Sequence, residues 1–153
     1  MSRALDIGAA GVMAPMVSSV AEARQLVEYS KYPPLGKRSI AGLHAHTDYR
    51  PVPTRTLLDS GNKETWCIAQ IETEEGVQSS LAIAALDGID ALFLGPNDLS
   101  ISLGCAGDLE NPVLQKAIEK VLDSCCQAKK PCGIHATDPA YVVAWIKRGM
   151  QLA

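Results

Sequence analysis

Four short runs of almost purely apolar residues, each followed by sequence of helical character, constrain the fold more than any other feature. They cover residues 11–17, 66–71, 91–94 and 131–136. Strands that are apolar at nearly every position, and not at alternate positions, are typical of parallel sheets buried on both faces. The pattern therefore predicts an α/β fold in which helices cover a parallel sheet, either open or closed into a barrel.

Capping residues mark where several helices begin. Ser19, with Glu22 three positions later, has the form of a capping box and opens a predicted helix to about residue 30. Asn111 followed by Pro112 predicts a helix to about residue 129, and Asp138 predicts the start of another. The further expectations are a helix over 76–86, a long loop over 36–64 with a short helix near 54–60, and the start of a fifth strand over 150–153.

The size and charge of the chain limit its class. A chain of 153 residues that is 47% hydrophobic and 20% charged fits a single domain over residues 1–153. The net charge of −3 gives no basic surface for nucleic acid, so no nucleic-acid partner is expected. There is no signal-peptide pattern and no apolar stretch of bilayer length, which predicts a cytoplasmic protein without a membrane partner. Five cysteines, an odd number without metal-site spacing, are expected to be reduced.

Two of the apolar runs end in a carboxylate. Glu72 follows the second run, and Asp98 lies just after the third. The carboxyl ends of parallel strands gather at one edge of the sheet, so these two acids are expected to converge. Two carboxylates with open coordination positions suit a hard divalent cation such as Mg²⁺ or Mn²⁺.

A purely structural interpretation of the same acids remains open. Glu72 would lie in the first turn of a helix beginning near Thr73, and Asp98 would cap a helix beginning at Leu99. Gly95 and the proline after it likewise predict either a tight turn or a nest of backbone N–H groups able to hold a substrate carboxylate.

Several motifs together resemble the metal-dependent pyruvate aldolases of the 4-hydroxy-2-oxoheptanedioate aldolase (HpcH/HpaI) family, which is related to the citrate lyase beta subunit. They are LDIGA (5–9), VMAPMV (12–17), YPPLGKR (32–38), QIET (70–73) and GPNDLS (95–100). The resemblance implies part of a TIM-type (β/α)8 barrel, from about strand 4 to strand 7 with the start of strand 8. It also implies a homo-oligomer, usually a hexamer.

Carried over motif by motif, the resemblance assigns the metal and substrate residues. Glu72 and Asp98 would hold the divalent metal ion, Mg²⁺ or Mn²⁺, with Co²⁺ or Zn²⁺ as further options. The backbone around Gly95, Pro96, Asn97 and Asp98 would receive the carboxylate of pyruvate. The implied reaction is retro-aldol cleavage of a 4-hydroxy-2-oxo acid to pyruvate and an aldehyde.

Two residues receive catalytic roles from the same resemblance. Gln70 would lie beside the metal-bound substrate. Asp6 resembles the acid that orients the family's catalytic histidine. The alternative interpretation of Asp6 is an ordinary surface or helix-end acid. In the family, that histidine and an arginine that binds pyruvate come from strands that precede the segment matched here. This leaves two functions open: an aldolase completed by segments from elsewhere, or an inactive truncated barrel that binds metal and oxo acid or only associates with partners.

The remaining polar candidates have more ordinary interpretations. For Arg38, anchoring a loop is the first expectation and binding substrate the second. His44 and His46 are expected to be a solvated loop pair and not a metal site. His135 ends a strand at the presumed ligand edge, so it could line the site or replace the missing base.

Overall fold

The computed structural model describes residues 1–40 and 43–153, and a four-stranded parallel sheet lies at its centre. Each strand pairs with the next one along the chain, so strand order follows sequence order. The strands are β1 (Gly11–Ala14), β2 (Trp66–Ile71), β3 (Ala91–Leu94) and β4 (Cys132–Ile134). The predicted α/β fold with a parallel sheet is confirmed.

Seven helices connect and flank the described strands. Ser19 and Glu22 form the predicted capping box, and the side chains of Asn111 and Asp138 accept the predicted capping hydrogen bonds. None of the described helices is both long enough and apolar enough to cross a bilayer. The helices are α1 (Ser2–Asp6), α2 (Val20–Ser30), α3 (Thr54–Glu64), α4 (Glu74–Ala84), α5 (Pro96–Ser102), α6 (Pro112–Ala128) and α7 (Pro139–Lys147), with one 3-10 turn at Ala45–Thr47.

Helix α3 is longer than the sequence predicts. The predicted helix ended near residue 60 because glycine and asparagine disfavour a helix interior, but α3 continues to Glu64. Gly61 lies against the ring of Tyr32, and Asn62 both donates to and accepts from the Tyr32 backbone. These tertiary contacts override the weak local preference. The predicted fifth strand is reduced to a single parallel bridge between Leu152 and Gly133.

The helices pack on one face of the sheet. Side chains such as Ala69, Ile71 and Leu92 point to that face and are fully buried in the hydrophobic core. The pairing register sets Met13 beside Ile68 and Gln70 beside Phe93 on the opposite face. Met13 is 42% exposed there. The sequence predicts a sheet with both faces buried. Within residues 1–40 and 43–153, the helices cover only one of these two faces.

A buried lysine ties the amino edge of the sheet together. Lys31, 1% exposed, lies just after α2 and pairs with Asp90 across 2.7 Å. Its Nζ also donates to the backbone carbonyls of Asn62 and Thr65, while Asp90 accepts from the backbone N–H of Cys67. The charge is therefore balanced and hydrogen-bonded, which a buried ammonium requires.

Candidate active site

The candidate site lies at the carboxyl edge of the sheet, where β2 and β3 end side by side. Ile71 and Leu94 are register partners, so the residues that follow them, Glu72 and Gly95, emerge next to each other. The Gly95 N–H donates to the Ile71 carbonyl at 3.4 Å, and the Val17 N–H donates to the Gln70 carbonyl at 3.0 Å. The ends of three strands are thus joined by backbone hydrogen bonds.

The Glu72 side chain is buried and held from two directions. It is 4% exposed, and its Oε1 accepts a 2.7 Å hydrogen bond from the Gln70 amide. Its Oε2 accepts a 3.0 Å hydrogen bond from the backbone N–H of Met16, a residue in the left-handed region with φ of 57°. The sequence did not predict the Met16 contact, because a backbone donor carries no side-chain signature.

Gly95 makes room for this carboxylate. A Cβ built on Gly95 would overlap Oε1 of Glu72 and would lie 3.0 Å from the two preceding side-chain carbons. Since real Cβ atoms are almost never found this close to another heavy atom, only glycine fits here with Glu72 in its present position. The glycine of the GPNDLS motif is therefore required by the geometry of the acid.

The carboxylate of Asp98 approaches the same place from α5. Burial raises the pKa of Glu72 above its usual value, the Met16 hydrogen bond opposes this rise, and the charge of Asp98 adds to it. Asp98 itself is exposed, and no N–H of residues 1–40 or 43–153 donates to its side chain. Asp98 therefore keeps unused lone pairs close to the carboxylate of Glu72.

This donor set fits a hard divalent cation. No group of three or more His, Cys, Asp or Glu side chains within the described residues is placed to hold a metal ion. Mg²⁺ commonly binds through one or two carboxylates and takes its other ligands from water and substrate oxygens. Glu72 and Asp98 therefore suit an ion whose other positions stay open to a ligand.

The structure removes the helix-end interpretation for Glu72 but keeps part of it for Asp98, which is not a cap but is an acid in the first turn of a helix. Helix α4 has Thr73 as its N-cap, so Glu72 precedes the helix and turns toward β1 and Gln70. Helix α5 begins at Pro96, so Asp98 is its third residue and not its cap. Proline is favoured in the first helical turn because it has no N–H to satisfy, and this is why the helix starts earlier than predicted.

Asp6 lies away from this cluster, near the amino ends of the strands. It is the last residue of α1, and its Oδ1 accepts a 2.7 Å hydrogen bond from Arg38. Arg38 is 5% exposed and lies over the Tyr32 ring, which confirms its role as a loop anchor. Of the predicted site residues, the structure brings together the two acids, Gln70 and the Gly95–Asp98 turn, but not Asp6.

The other titratable candidates divide between the two edges. His44 is exposed as predicted, but His46 is half-buried with its Nε2 covered, so the prediction of a solvated pair is wrong for His46. The two rings stack on each other in the segment before α3, and His135 follows β4 at the carboxyl edge, where it is exposed. All five cysteines are free, as predicted. Burial raises the pKa of Cys67 to about 12, so this thiol stays protonated and has a structural role.

Comparison with known sequences confirms the predicted resemblance. The sequence model of the HpcH/HpaI aldolase/citrate lyase family matches residues 1–150. A 2-dehydro-3,6-dideoxy-6-sulfogluconate aldolase of Pseudomonas putida is 36% identical over 153 residues, which is all of this chain and 59% of the relative. A hydroxypyruvate/pyruvate aldolase of Delftia acidovorans is 39% identical over 133 residues, 86% of this chain and 49% of the relative.

Comparison with solved structures leads to the same family. An HpcH/HpaI aldolase from Desulfitobacterium hafniense matches with a TM-score of 0.92 and 38% identity. The match covers 99% of this chain and 58% of that one. The chain therefore spans about half the length of the relatives that it matches.

Proposed function

This chain belongs to the HpcH/HpaI aldolase/citrate lyase family, and we propose that it carries the metal- and oxo-acid-binding part of a class II aldolase. The proposed reaction is retro-aldol cleavage of a 4-hydroxy-2-oxo acid to pyruvate and an aldehyde. Similarity to two aldolases that act on sugar-derived or pyruvate-type acids supports this substrate class. The observation that carries the proposal is the buried Glu72 carboxylate, fixed by Gln70 and Met16 and close to Asp98.

In this proposal, Glu72 and Asp98 would hold a divalent cation, with Mg²⁺ or Mn²⁺ preferred to Co²⁺ or Zn²⁺ because both ligands are carboxylates. When bound, such an ion supplies Lewis acidity to the carbonyl of a 2-oxo acid. The Gln70 amide keeps Glu72 in a single orientation through its 2.7 Å hydrogen bond. Since both oxygens of Glu72 already accept one hydrogen bond, the side chain is preorganised before any ligand arrives.

The turn from Gly95 to Asp98 is proposed to receive the substrate carboxylate. The first N–H groups of a helix have no partner within the helix, and in α5 these include Asn97 and Asp98. Both residues are exposed at the carboxyl edge. Backbone N–H groups there can bind a carboxylate without competing with the side chains that hold the cation.

Proton transfer needs a base at the 4-hydroxyl of the substrate. His135 is the only one of the three histidines at the carboxyl edge, so it is the candidate base within this chain. Asp6 lies at the amino edge and cannot reach its own Glu72–Asp98 pair. A catalytic role for Asp6 therefore requires the site of a neighbouring chain.

The sheet architecture supports a partial (β/α)8 barrel, here proposed as strands 4 to 7 with the start of strand 8. Sequential strand order, with helices α2, α4 and α6 packed on one face of the sheet, is the arrangement of such barrels. The opposite face exposes apolar side chains, including Met13 and Trp66 at 42% each. Because this apolar face would line the interior of the barrel, we propose that a second chain covers it and that the chain functions within a homo-oligomer.

Thermal unfolding with and without Mn²⁺ tests the proposed metal residues. Mn²⁺, alone and with oxalate as a pyruvate mimic, should raise the melting temperature of the wild-type chain by preferential binding to the folded state. Glu72→Gln and Asp98→Asn should each abolish that rise. Glu75→Gln, an exposed acid in the first turn of α4, is the matched control and should retain it. An equal rise in all four proteins would refute the assignment.

A lyase assay tests the reaction itself. Pyruvate release from a 4-hydroxy-2-oxo acid should require a divalent cation and stop with EDTA. If the chain binds Mn²⁺ at Glu72 and Asp98 but releases no pyruvate, the metal site stands and the activity proposal fails. This result would support the alternative of a truncated barrel that binds metal and oxo acid without turnover.

A further inference from the structure

The turn that follows β1 holds a residue other than glycine in a left-handed backbone conformation beside the candidate site. This residue is Met16, with a φ of 57°. Met16 is 53% exposed, so the packing of its side chain contributes little to this conformation. Residues with a Cβ rarely adopt it, because the Cβ comes too close to the following carbonyl oxygen. Hydrogen bonds of the backbone must therefore stabilise the turn that presents the Met16 N–H to Glu72.

The peptide group that follows Met16 is fixed at both of its ends. Its N–H, which belongs to Val17, donates to the Gln70 carbonyl at 3.0 Å. Its carbonyl oxygen, which belongs to Met16, accepts from the Ser18 hydroxyl at 3.1 Å. Once this peptide group is held, the φ of Met16 sets the direction of its own N–H. The Ser18 hydrogen bond therefore helps to direct that N–H at Glu72.

Thr73 extends this contact to the first turn of α4. Its hydroxyl oxygen lies 2.7 Å from that of Ser18 and accepts from the Gly76 N–H at 3.0 Å. Ser18 has one hydroxyl proton, which goes to the Met16 carbonyl, so Thr73 supplies the proton between the two hydroxyls. We call this pair of side chains, Thr73 and Ser18, the hydroxyl chain. Its hydrogen bonds all run in one direction, and each polarises and strengthens the next.

The close approach of the turn to α4 explains the glycine at residue 76. A Cβ on Gly76 would lie 2.8 Å from the Val17 carbonyl oxygen and 3.2 Å from the Thr73 hydroxyl oxygen. Glycine is unfavourable within a helix, so its place in the first turn of α4 needs such a reason. The hydroxyl chain depends on the same approach, since a wider separation would part Ser18 from Thr73.

The hydroxyl chain acts on one of the two oxygens of Glu72. Oε2 accepts from the Met16 N–H, and Oε1 accepts from the Gln70 amide. Two hydrogen bonds to different oxygens fix the plane of a carboxylate, whereas a single one lets the plane rotate. Loss of the Met16 contact should therefore free the orientation of Glu72 while the Gln70 contact remains.

We propose that Ser18 and Thr73 are positioning residues of the candidate site, which hold the Met16 N–H on Glu72 and so orient the carboxylate before a cation binds. The functional part of this inference rests on the proposed function, in which Glu72 is a metal ligand. Removing a hydrogen-bond partner of a metal-binding side chain commonly lowers metal affinity by roughly 10–100-fold. Since Ser18 acts through Met16, its removal should cost about tenfold, the lower end of that range.

Amide exchange of Met16 in the metal-free chain tests the positioning role. The chain has four methionines, so labelling with ¹⁵N-methionine gives few amide signals, and Met16→Leu identifies that of Met16. Ser18→Ala removes a donor to the Met16 carbonyl and should speed the exchange about threefold to tenfold, as expected for one lost hydrogen bond. The Met150 N–H, which donates to Trp145, should be unaffected. Ser18→Thr retains the hydroxyl and should restore slow exchange.

Matched variants separate positioning from a loss of helix stability. Ser19→Ala removes the capping hydroxyl of α2 next to Ser18, so it should lower the melting temperature without changing Met16 exchange. Thr73→Val removes the other hydroxyl and should speed Met16 exchange, while Thr73→Ser should restore it. Ser18→Ala decides the question even if Thr73→Val does not fold, because it leaves the Thr73 cap of α4 in place.

The electron paramagnetic resonance signal of Mn²⁺ measures the functional consequence. Ser18→Ala should bind Mn²⁺ about tenfold more weakly than the wild type, and Ser19→Ala should bind it equally well. If the wild type binds no Mn²⁺, the proposed metal function fails, and with it the functional part of this inference. The exchange measurements still decide in that case whether Ser18 holds the Met16 N–H.

Four results would overturn the positioning role. Two concern exchange: a Met16 amide that Ser18→Ala leaves unchanged, and faster exchange that Ser18→Thr does not reverse. The other two concern the metal. Equal Mn²⁺ affinity of Ser18→Ala and the wild type would show that the orientation of Glu72 does not depend on the hydroxyl chain. An equal loss of affinity in Ser19→Ala would show that the effect comes from α2.

Discussion

Gly95 lies directly against the carboxylate of Glu72, so that a methyl group at residue 95 would overlap Oε1 of the acid. Glu72 cannot move away without loss, because Met16 and Gln70 hold its two oxygens. Gly95→Ala should therefore lower the free energy of unfolding by about 1–3 kcal/mol, the usual cost of overpacking. It should also reduce the stabilisation by Mn²⁺ in thermal unfolding.

A second substitution can test whether the clash itself is responsible. Glu72→Asp withdraws the carboxylate by one methylene group, so the double variant Gly95→Ala/Glu72→Asp should be more stable than the sum of the single changes predicts. We expect a coupling free energy of about 0.5–3 kcal/mol, measured by urea unfolding of all four proteins. Additive effects would mean that residue 95 and Glu72 do not interfere.

Breaking the Lys31–Asp90 pair by removing the lysine should destabilise the fold. Lys31→Met leaves Asp90, whose side chain is 34% exposed, without its cation and two backbone carbonyls without their donor. The free energy of unfolding should fall by about 3 kcal/mol, the lower end of the range for a broken buried pair. Lys37→Met is the control, because the Lys37–Glu28 pair is exposed and should contribute less than about 1 kcal/mol.

The capping box of α2 predicts a pH dependence of stability. A hydrogen bond from the Ser18 N–H lowers the pKa of Glu22, burial opposes this, and two contacts with Ser19 lower the pKa further. Because the folded pKa lies below the unfolded value, the stabilisation is present at neutral pH and is lost as the pH falls through the folded pKa.

Glu22→Gln should therefore be less stable than the wild type at pH 7, by less than about 1 kcal/mol because the side chain is exposed. The difference should shrink when unfolding is measured below about pH 4. Glu75→Gln, an exposed first-turn acid of α4, serves as the comparison. A difference that stays constant from pH 7 to pH 3 would contradict a role for the ionised carboxylate.

The face of the sheet without helices, which would line the interior of the proposed barrel, should be covered by a second chain. Met13→Glu places a charge on that face and should reduce the assembly mass measured by light scattering. Leu81→Glu is a matched control, since Leu81 on α4 is 43% exposed and Met13 is 42% exposed. If Leu81→Glu lowers the mass and Met13→Glu does not, the contact instead uses the outer helical layer.

The sequence predicts the elements best where local and tertiary preferences agree. Strands β2 and β3 have their predicted bounds because they are continuous apolar runs between polar turns. The convergence of Glu72 with the Gly95 turn was predictable from the common edge of parallel strands.

Contacts between distant segments could not be predicted in this way. The Met16 hydrogen bond to Glu72 joins residues 56 positions apart and uses a backbone donor. The Asp6–Arg38 pair spans 32 positions, and without the fold nothing shows that it lies at the opposite edge from the proposed catalytic residues. The burial of the Tyr32 hydroxyl and of His46 Nε2 could not be predicted either, because it results from segments that meet only in the folded chain.

The carboxylates lie at one edge of the sheet, and the Lys31–Asp90 pair lies at the other. This separation makes the protein evolvable, because substitutions in the turns at residues 15–18, 97–98 and 135–137 leave the buried ion pair untouched. Substrate range can diverge among relatives without an equal loss of foldability. Laboratory selection on the proposed aldolase activity should therefore begin in these three turns, with the proposed metal ligand Asp98, the candidate base His135 and the positioning residue Ser18 kept unchanged.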